Sequence, residues 1–573
     1  MMDSGAVKKV LESPTLSEKQ GLTQWFARQT RVCPARFSRL RCGDRLFQHM
    51  HTPSFSLGRW LSRGDRDTPA VARWERVLVL AAMTIALGLA TTHLSAPSLW
   101  HDELVHVFVA KNITQTLEPR LPSGVFYANA YAYNYLLAPF VAFLGDGEFA
   151  VRLPAALFGV LNVLLTYLVV RKLLGRSTAL VAAFMLAVFP WSVAWSREAR
   201  FYTLQQTFYL VLLWFAWRMV NAERPKATIG NAALGVLAFA GGMLTSVHSV
   251  LFLTPVMGYT AIRAVAARRF SSRWVVFCLG AFAIGVAAVG LYYASAMPVD
   301  RTTVLDNAGL GGETVTSGDH VRSTRLYYFH WLNYNLSTGF LIIGLVGSVV
   351  LLAREGHRGL FVFLGFWGPF VVLSCLIGYR RARFLFFAYP LLVAAQAYAL
   401  VEGVRFLKTW RKSWMRAVAA VLILVFGVRL AWSAVKLVGD SIEVARGADI
   451  TLARHHPPWR GPCEYVREHI DNETVVITTT GLPVLYYVGR VDAWFPSRIM
   501  WWEADEIGLE GLKNTEELAA FMARHPKGYF IEHIRRLSMW ERQLADEIAF
   551  VEKHMRVIDE VSEPYVRVHA WGL

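Results

Sequence analysis

The sequence predicts a polytopic α-helical membrane protein with about eleven transmembrane helices and a small soluble α/β domain at the C-terminus. Three observations predict it. Apolar runs long enough to cross a bilayer core, about 20 residues of helix, recur along the middle of the chain. Lys and Arg gather in alternate connections between those runs. Near residue 440 the composition changes abruptly. The 573 residues are 54% hydrophobic and 18% charged, with a mean hydropathy of +0.35. Soluble chains have about 45–50% apolar and about 25% charged residues, so an ordinary globular protein is excluded.

Residues 1–76 hold 14 Lys and Arg against 7 acids and show no sustained period. They read as a basic, poorly ordered cytoplasmic tail, with one interfacial helix around residues 25–46 as an option. The first apolar run follows at 77–95 and is too far from the N-terminus for a cleaved signal peptide. Further spans are expected at 153–170, 178–195, 203–220, 229–246, 248–265, 274–295, 337–353, 359–378, 384–403 and 417–436. The intervening segments 171–176, 218–226, 263–273, 354–358 and 405–416 together carry 17 Lys and Arg. By the positive-inside rule they are cytoplasmic, as is the N-terminus. The membrane part is thus expected to run over 77–437, in a plasma or inner membrane. Residues 438–573 are then expected on the extracytoplasmic side.

From 440 onward the chain has 22 acids and 15 basic residues and no run long enough to span. Thr474–Thr479 and Val566–Trp571 are rich in β-branched and aromatic residues and read as strands. Glu516–Arg524 and Trp540–His554 read as helices. The net charge of +17 therefore divides into +7, +17 and −7 over the tail, the membrane part and the C-terminal part. Most of it is orientation signal, and no nucleic acid partner is expected. Five cysteines without CxxC spacing give no disulfide framework and no zinc ribbon.

Chemistry-bearing residues collect beyond the outer helix ends. Asp102 and Glu103, flanked by His101 and His106, follow the first span. A carboxylate pair there can act as general base or bind a cation, or it can simply favour a helix N-terminus. Glu148 and Arg152 stand four apart, either as a helix-face ion pair or as a carboxylate beside a phosphate-facing guanidinium. Glu198, Arg200 and Tyr202 lie after the third span. Arg380, Arg381 and Arg383 sit on the outer side against the positive-inside trend. A lipid phosphate would favour them there, as would head groups or the acidic C-terminal part. His248 opens the sixth span. It reads as a structural residue, or together with Glu148 as a ligand for a divalent metal; no cofactor is certain.

The stretches LWHDE, GEFAVRLPAALFG, FPWSVAWSREARFYTL and RRARFLFFAYPLL, in this order over roughly residues 77–400, resemble the membrane glycosyltransferases of family 39 type. These include protein O-mannosyltransferases and the aminoarabinose transferase of lipid A. The resemblance implies a GT-C-like fold and a polyprenyl-phosphate sugar donor in the lipid bilayer. It implies that Asp102 is the general base, with Glu103 completing the catalytic motif. It places the donor phosphate at Arg383; with the charge pattern, Arg200, Arg380 and Arg381 join it, and sugar or acceptor is expected at Glu148, Arg152, Glu198, Tyr202 and His248. Two departures stand out: Phe384 follows Arg383 where the family has Tyr, and the Pro is displaced to Pro390. The acceptor, whether protein, lipid or polysaccharide, is open. A multi-pass transporter or flippase of a lipid-linked substrate is the alternative. It would call for internal repeats and a midplane polar site, and no repeat is visible. A membrane anchor for the C-terminal part would need fewer spans and no clustered outer charges.

Overall fold

The computed structural model describes residues 71–221, 225–266, 326–377, 380–407, 457–497, 502–509, 511–534, 543–563 and 565–573, with isolated positions between. All of them fall in one compact unit, 57–573. Expected spans 274–295 and 417–436, most of the tail, and the boundary at 438 lie outside the described residues.

Helix α1 is Arg73–Thr91, followed by α2 (His101–Thr116), α3 (Tyr131–Leu144) and α4 (Glu148–Leu174). Next come α5 (Arg176–Val188), α6 (Pro190–Ser196), α7 (Tyr202–Val220), α8 (Pro225–Thr245) and α9 (Leu253–Ala266), then α10 (Tyr327–Arg354), α11 (Gly356–Cys375) and α12 (Tyr389–Leu407). Among the described residues five helices are long and apolar enough to cross a membrane: α1, α4, the Thr228–Thr245 part of α8, α11, and Ala382–Leu407. A bent pair within α10 makes six if it counts as one span. The chain is thus a multi-pass helical membrane protein. Its bundle exposes apolar side chains such as Val77 at 65% and Leu80 at 62%, the pattern of a surface that meets lipid rather than water.

The shortfall from eleven has local causes as well as undescribed segments. The run 178–195 is broken at Phe189–Pro190. There α5 stops and Pro190 opens the short α6, because proline restricts the residue before it to extended backbone. The run 248–265 begins as a 3-10 turn, Val247–Phe252, and becomes α-helical only at Leu253. Between α4 and α5 the chain reverses at Gly175, whose φ of 92° suits glycine. Helix α1 starts at Arg73, so its first turn takes residues expected in the tail. Its buried Glu75 joins Arg171 at 2.9 Å and Arg176 at 2.8 Å and accepts from Tyr167 at 2.7 Å, tying α1 to α4 and α5.

The C-terminal residues form α13 (Arg460–His469), β1 (Val475–Thr478), α14 (Gly481–Tyr487), β2 (Ala493–Trp494), α15 (Trp502–Ile507), α16 (Thr515–Arg524), β3 (Gly528–His533), α17 (Ala545–His554), β4 (Arg556–Val557) and β5 (Val566–Trp571). The sheet order is β2-β1-β3-β5-β4. β1 runs parallel to β2 and β3, and β5 is antiparallel to β3 and β4. The expected strands and helices coincide with β1, β5, α16 and α17. β3, sequence GYFIEH, lies at the centre of the sheet and is buried at five of six positions. Its run of apolar residues lacks the alternation that marks a half-exposed strand.

This α/β part does not close its core alone. One apolar cluster joins Leu104, Val107 and Leu137 of α2 and α3 to Val466, Leu482, Ile531 and Val568. A second cluster fills the bundle around α4, α5, α7, α11 and α12. The helix α2 with its two acids is therefore packed between membrane helices and sheet.

Candidate active site

Asp102 and Glu103 belong to the first turn of α2 rather than to a loop. The backbone N–H groups there favour carboxylates, yet the two side chains go opposite ways. Glu103 is completely buried and joins Arg152, itself 1% exposed. The pair is bidentate, with Arg152 Nε and Nη2 each 2.8 Å from a Glu103 oxygen. Glu103 also accepts from Ala199 N at 2.7 Å and Trp100 N at 3.2 Å, the latter the back-bond of a capping box. Arg152 donates further to the carbonyls of Leu94, Pro97 and Ser98. These two residues thus form a buried knot that fixes the loop 94–100 and the start of α2. Glu103, expected as a catalytic group, and Arg152, expected beside sugar or acceptor, here face each other and the backbone.

Asp102 goes the other way and keeps 28% side-chain exposure. Its Oδ2 lies 3.2 Å from Arg200 Nη2 and 3.3 Å from Arg383 Nη1. Both arginines line a cavity of 170 Å³ with Tyr127, Asn129, Ala130, Phe201, Tyr202, Gln205, Thr245–His248 and Phe384. Arg200 is further held by Asp102 O at 2.7 Å and Tyr202 Oη at 3.2 Å, and lies over the Trp100, Phe201 and Tyr202 rings. Burial alone would weaken its guanidinium, but the Asp102 carboxylate raises its pKa above the ordinary value. His248 stacks on Phe384 with ring centroids 3.9 Å apart. Burial, with the Arg383 charge, pushes its pKa down to about 4, so the imidazole is neutral at pH 7. Its Nε2 has no hydrogen-bond partner among the described residues.

The structure therefore brings Arg200, Tyr202, Arg383 and His248 together around one cavity, with Asp102 against the two arginines. It takes other expected residues elsewhere. Arg380 is buried and donates twice to Ser374 O, at 3.2 and 2.8 Å, covering the C-terminal carbonyls of α11. Arg381 is not among the lining residues, and its carbonyl accepts from Tyr328 Oη at 3.2 Å. Glu198 is buried beside the chain turn before α7, its carbonyl accepting from Arg200 N at 2.7 Å. Glu148 is met by Arg460 Nε at 3.1 Å and by Tyr487 Oη at 3.0 Å instead of by Arg152. Neither Glu148 nor His248 belongs to a group of three metal-ligating side chains among the described residues.

Sequence reasoning missed Tyr127, Asn129 and Ala130, on the connection from α2 to α3. Its signal is the polar-aromatic run from Phe126 to Tyr135. Ala130 adopts a left-handed φ of 56°, a strained conformation for a residue with a Cβ, and such strain concentrates at functional walls. His106 stands behind this wall, its Nδ1 2.7 Å from Asn134 Oδ1 and its ring edge-on to Tyr127, Tyr133 and Phe201. Burial and the Arg200 charge lower its pKa to about 3.

Residues 129–293 match the family described as dolichyl-phosphate-mannose-protein mannosyltransferase. YkcB of Bacillus subtilis (strain 168), provisionally called a mannosyltransferase, is 27% identical over 153 residues, 25% of this chain and 21% of that protein. The chain thus matches only about a fifth of the length of that relative. ArnT from Cupriavidus metallidurans in the apo state superposes with a TM-score of 0.59 at 12% identity, covering 87% of this chain and 97% of ArnT. The same protein bound to undecaprenyl phosphate gives 0.58 at 13% identity, covering 87% and 98%. The archaeal oligosaccharyltransferase AglB from Archaeoglobus fulgidus, in complex with an inhibitory peptide and a dolichol-phosphate, gives 0.54 at 12% identity, covering 86% and 74%. At such identities the likeness establishes the fold.

Proposed function

We propose that this chain, a membrane protein of the GT-C glycosyltransferase family by fold and family match, moves a sugar from a polyprenyl-phosphate donor to an acceptor hydroxyl. The observation that carries this reading is one carboxylate, Asp102, shared by two guanidinium groups on the wall of a cavity. Charge-assisted bonds between arginine and carboxylate are normally about 2.7–2.9 Å. The contacts at 3.2 and 3.3 Å are longer than that.

An arriving donor phosphate is a stronger claimant for both guanidiniums, because it presents several anionic oxygens in forked geometry. Its capture frees Asp102 to accept a proton. The acceptor hydroxyl then loses its proton to Asp102 while its oxygen bonds to the anomeric carbon. The bond from that carbon to the phosphate oxygen breaks, and the electron pair leaves with the polyprenyl phosphate. Arg200 and Arg383 neutralise the charge that develops there. A single displacement inverts the anomeric configuration. Tyr202, Tyr127, Asn129 and neutral His248 surround the volume open to the sugar. The undecaprenyl phosphate of ArnT and the dolichol-phosphate of AglB support a donor of this class. The basic inner connections support a catalytic face on the extracytoplasmic side. The test is transfer from a polyprenyl-phosphate sugar by the purified full chain. Asp102→Asn should lower transfer by about 10²–10⁴ while the chain still elutes as folded protein; unchanged turnover would reject Asp102 as the base.

A further inference from the structure

A second set of chemistry-bearing side chains lies on the other flank of the first turn of α2. Glu503 and Glu506 are three apart on α15 and therefore share one helix face. Together with the imidazole of His101 they form a cluster in which one ligating atom from each of the three lies within 4.8 Å of the others. His101 Nε2 is 3.0 Å from each of the two Glu506 oxygens. His101 and Glu506 keep 15% and 16% side-chain exposure, and Glu503 is fully buried. Glu503 is also oriented: its Oε2 accepts from Gly481 N at 2.8 Å. Such an outer bond on a ligating carboxylate fixes its direction.

This set differs from an acidic surface patch. One member is an imidazole brought from 405 residues away, and one carboxylate has no exposure at all. Two carboxylates at such separation in a largely water-free place repel each other. A protonated His101 would offset one negative charge; a divalent ion would offset both and use all three donors. One imidazole nitrogen with two carboxylates suits zinc, manganese or ferrous iron rather than calcium or magnesium, which take oxygen ligands.

From this geometry we infer that His101, Glu503 and Glu506 form a binding site for a divalent transition metal, which fastens the C-terminal part onto the helix that carries Asp102. The consequence reaches the cavity by two routes. His101 directly precedes Asp102 in the chain. α15 also grips the connection from α2 to α3: Ser123 N donates to Glu506 O at 3.2 Å, and Ser123 Oγ donates to Asp505 O. Gly508, at a φ of 72°, packs so near that a Cβ there would come within 2.8 Å of Ser123 Cα. That connection supplies Tyr127, Asn129 and Ala130 to the cavity wall. The ion thus stabilises one edge of the cavity without reaching into it.

The test is metal content, read by mass spectrometry on the full chain in detergent after stripping with chelator and dialysis against zinc or manganese. Calcium and magnesium serve as controls. About one zinc or manganese ion per chain should remain, together with a raised unfolding temperature. His101→Asn and Glu506→Gln should each weaken retention by more than the roughly 10–100-fold that loss of an outer-shell partner costs. Glu148→Gln and His248→Ala should retain the ion. If His101→Asn does not elute as folded protein, Glu506→Gln carries the comparison, since it keeps the volume and one oxygen. No retained ion in the unsubstituted chain overturns the site, as does undiminished retention in Glu506→Gln. None of these readings uses sugar transfer, so failure here leaves the proposed activity standing, and failure of that activity leaves the metal result readable.

Discussion

Glu103→Gln separates the two adjacent acids of α2 most sharply. Both members of the Glu103–Arg152 pair are essentially without exposure, so solvent screening gives no discount. Glu103 accepts four hydrogen bonds, two of them from Arg152. Glutamine keeps one acceptor oxygen and turns an N–H group toward a guanidinium that can only donate. Removing one partner of a buried ion pair costs about 3–5 kcal/mol, because the other charge is left without compensation. Multi-pass membrane proteins unfold irreversibly in detergent, so the relevant readout is a half-life at fixed temperature. If the pair is absent from the unfolding transition state, 3–5 kcal/mol shortens that half-life by roughly a hundred- to several-thousandfold. Monodisperse elution against time at one temperature measures it. Adding Arg152→Gln should restore part of the loss, since the stranded charge is then gone, with a coupling of about 0.5–3 kcal/mol. A Glu103→Gln chain as long-lived as the original but without turnover would refute the argument and return Glu103 to the chemistry.

Asp102→Asn should reverse the balance: Arg200 loses a partly exposed partner, so half-life falls less than in Glu103→Gln, while turnover drops by about 10²–10⁴, the usual contribution of a general base. Arg383→Lys keeps the charge but loses the planar fork, so KM for a polyprenyl-phosphate donor should rise more than kcat falls; equal affinity would remove Arg383 from the phosphate site. Tyr487 accepts from Leu99 N at 2.8 Å and donates to Glu148 at 3.0 Å. Tyr487→Phe should therefore lower kcat through misplacement of α2, with KM for the donor nearly unchanged. His106 has an ordinary pKa of 6.5, lowered to about 3 in the fold. The unfolded chain therefore binds its proton first as pH falls. This contribution to stability is complete above about pH 6.5 and is lost progressively toward pH 3. Half-life against pH should show that acid limb, and His106→Gln should flatten it.

The membrane helices were legible because hydrocarbon imposes a length and a composition that water does not. Where length and composition misled, the backbone decided. Pro190 broke one apolar run into α5 and α6, and Val247–Phe252 tightened into a 3-10 turn. The strands β1 and β5 were visible as β-branched runs. β3 escaped because it is buried on both faces, and without alternation its GYFIEH reads equally as loop or helix. Least legible was the shared core of α2, α3 and the sheet. Apolar positions such as Leu104 and Val568 report that they are buried, but nothing local reports against what.

The arginines show why the site was only half readable. The position of Arg380, Arg381 and Arg383 against the positive-inside trend led the sequence reading to a lipid phosphate, head groups or the acidic C-terminal part. A guanidinium, however, satisfies a carboxylate, a phosphate and a row of backbone carbonyls with the same five donors. Arg197 donates to the carbonyls of Leu89, Ala90, Thr92 and His93 after α1. Arg380 does the same for α11, and Arg152 serves both Glu103 and three carbonyls. Each closes a helix end or loop whose oxygens would otherwise lack donors. Arg200 and Arg383 alone among these five line the cavity beside a partly exposed carboxylate. The distinction rests on which arginines have a helix terminus within reach, and except for Arg380 that depends on contacts distant in sequence, 54 residues between Arg152 and Ser98 and 107 between Arg197 and Ala90. Replacing a carbonyl-bound arginine should therefore cost stability first, and on the proposed function replacing a cavity-lining one should cost donor affinity first.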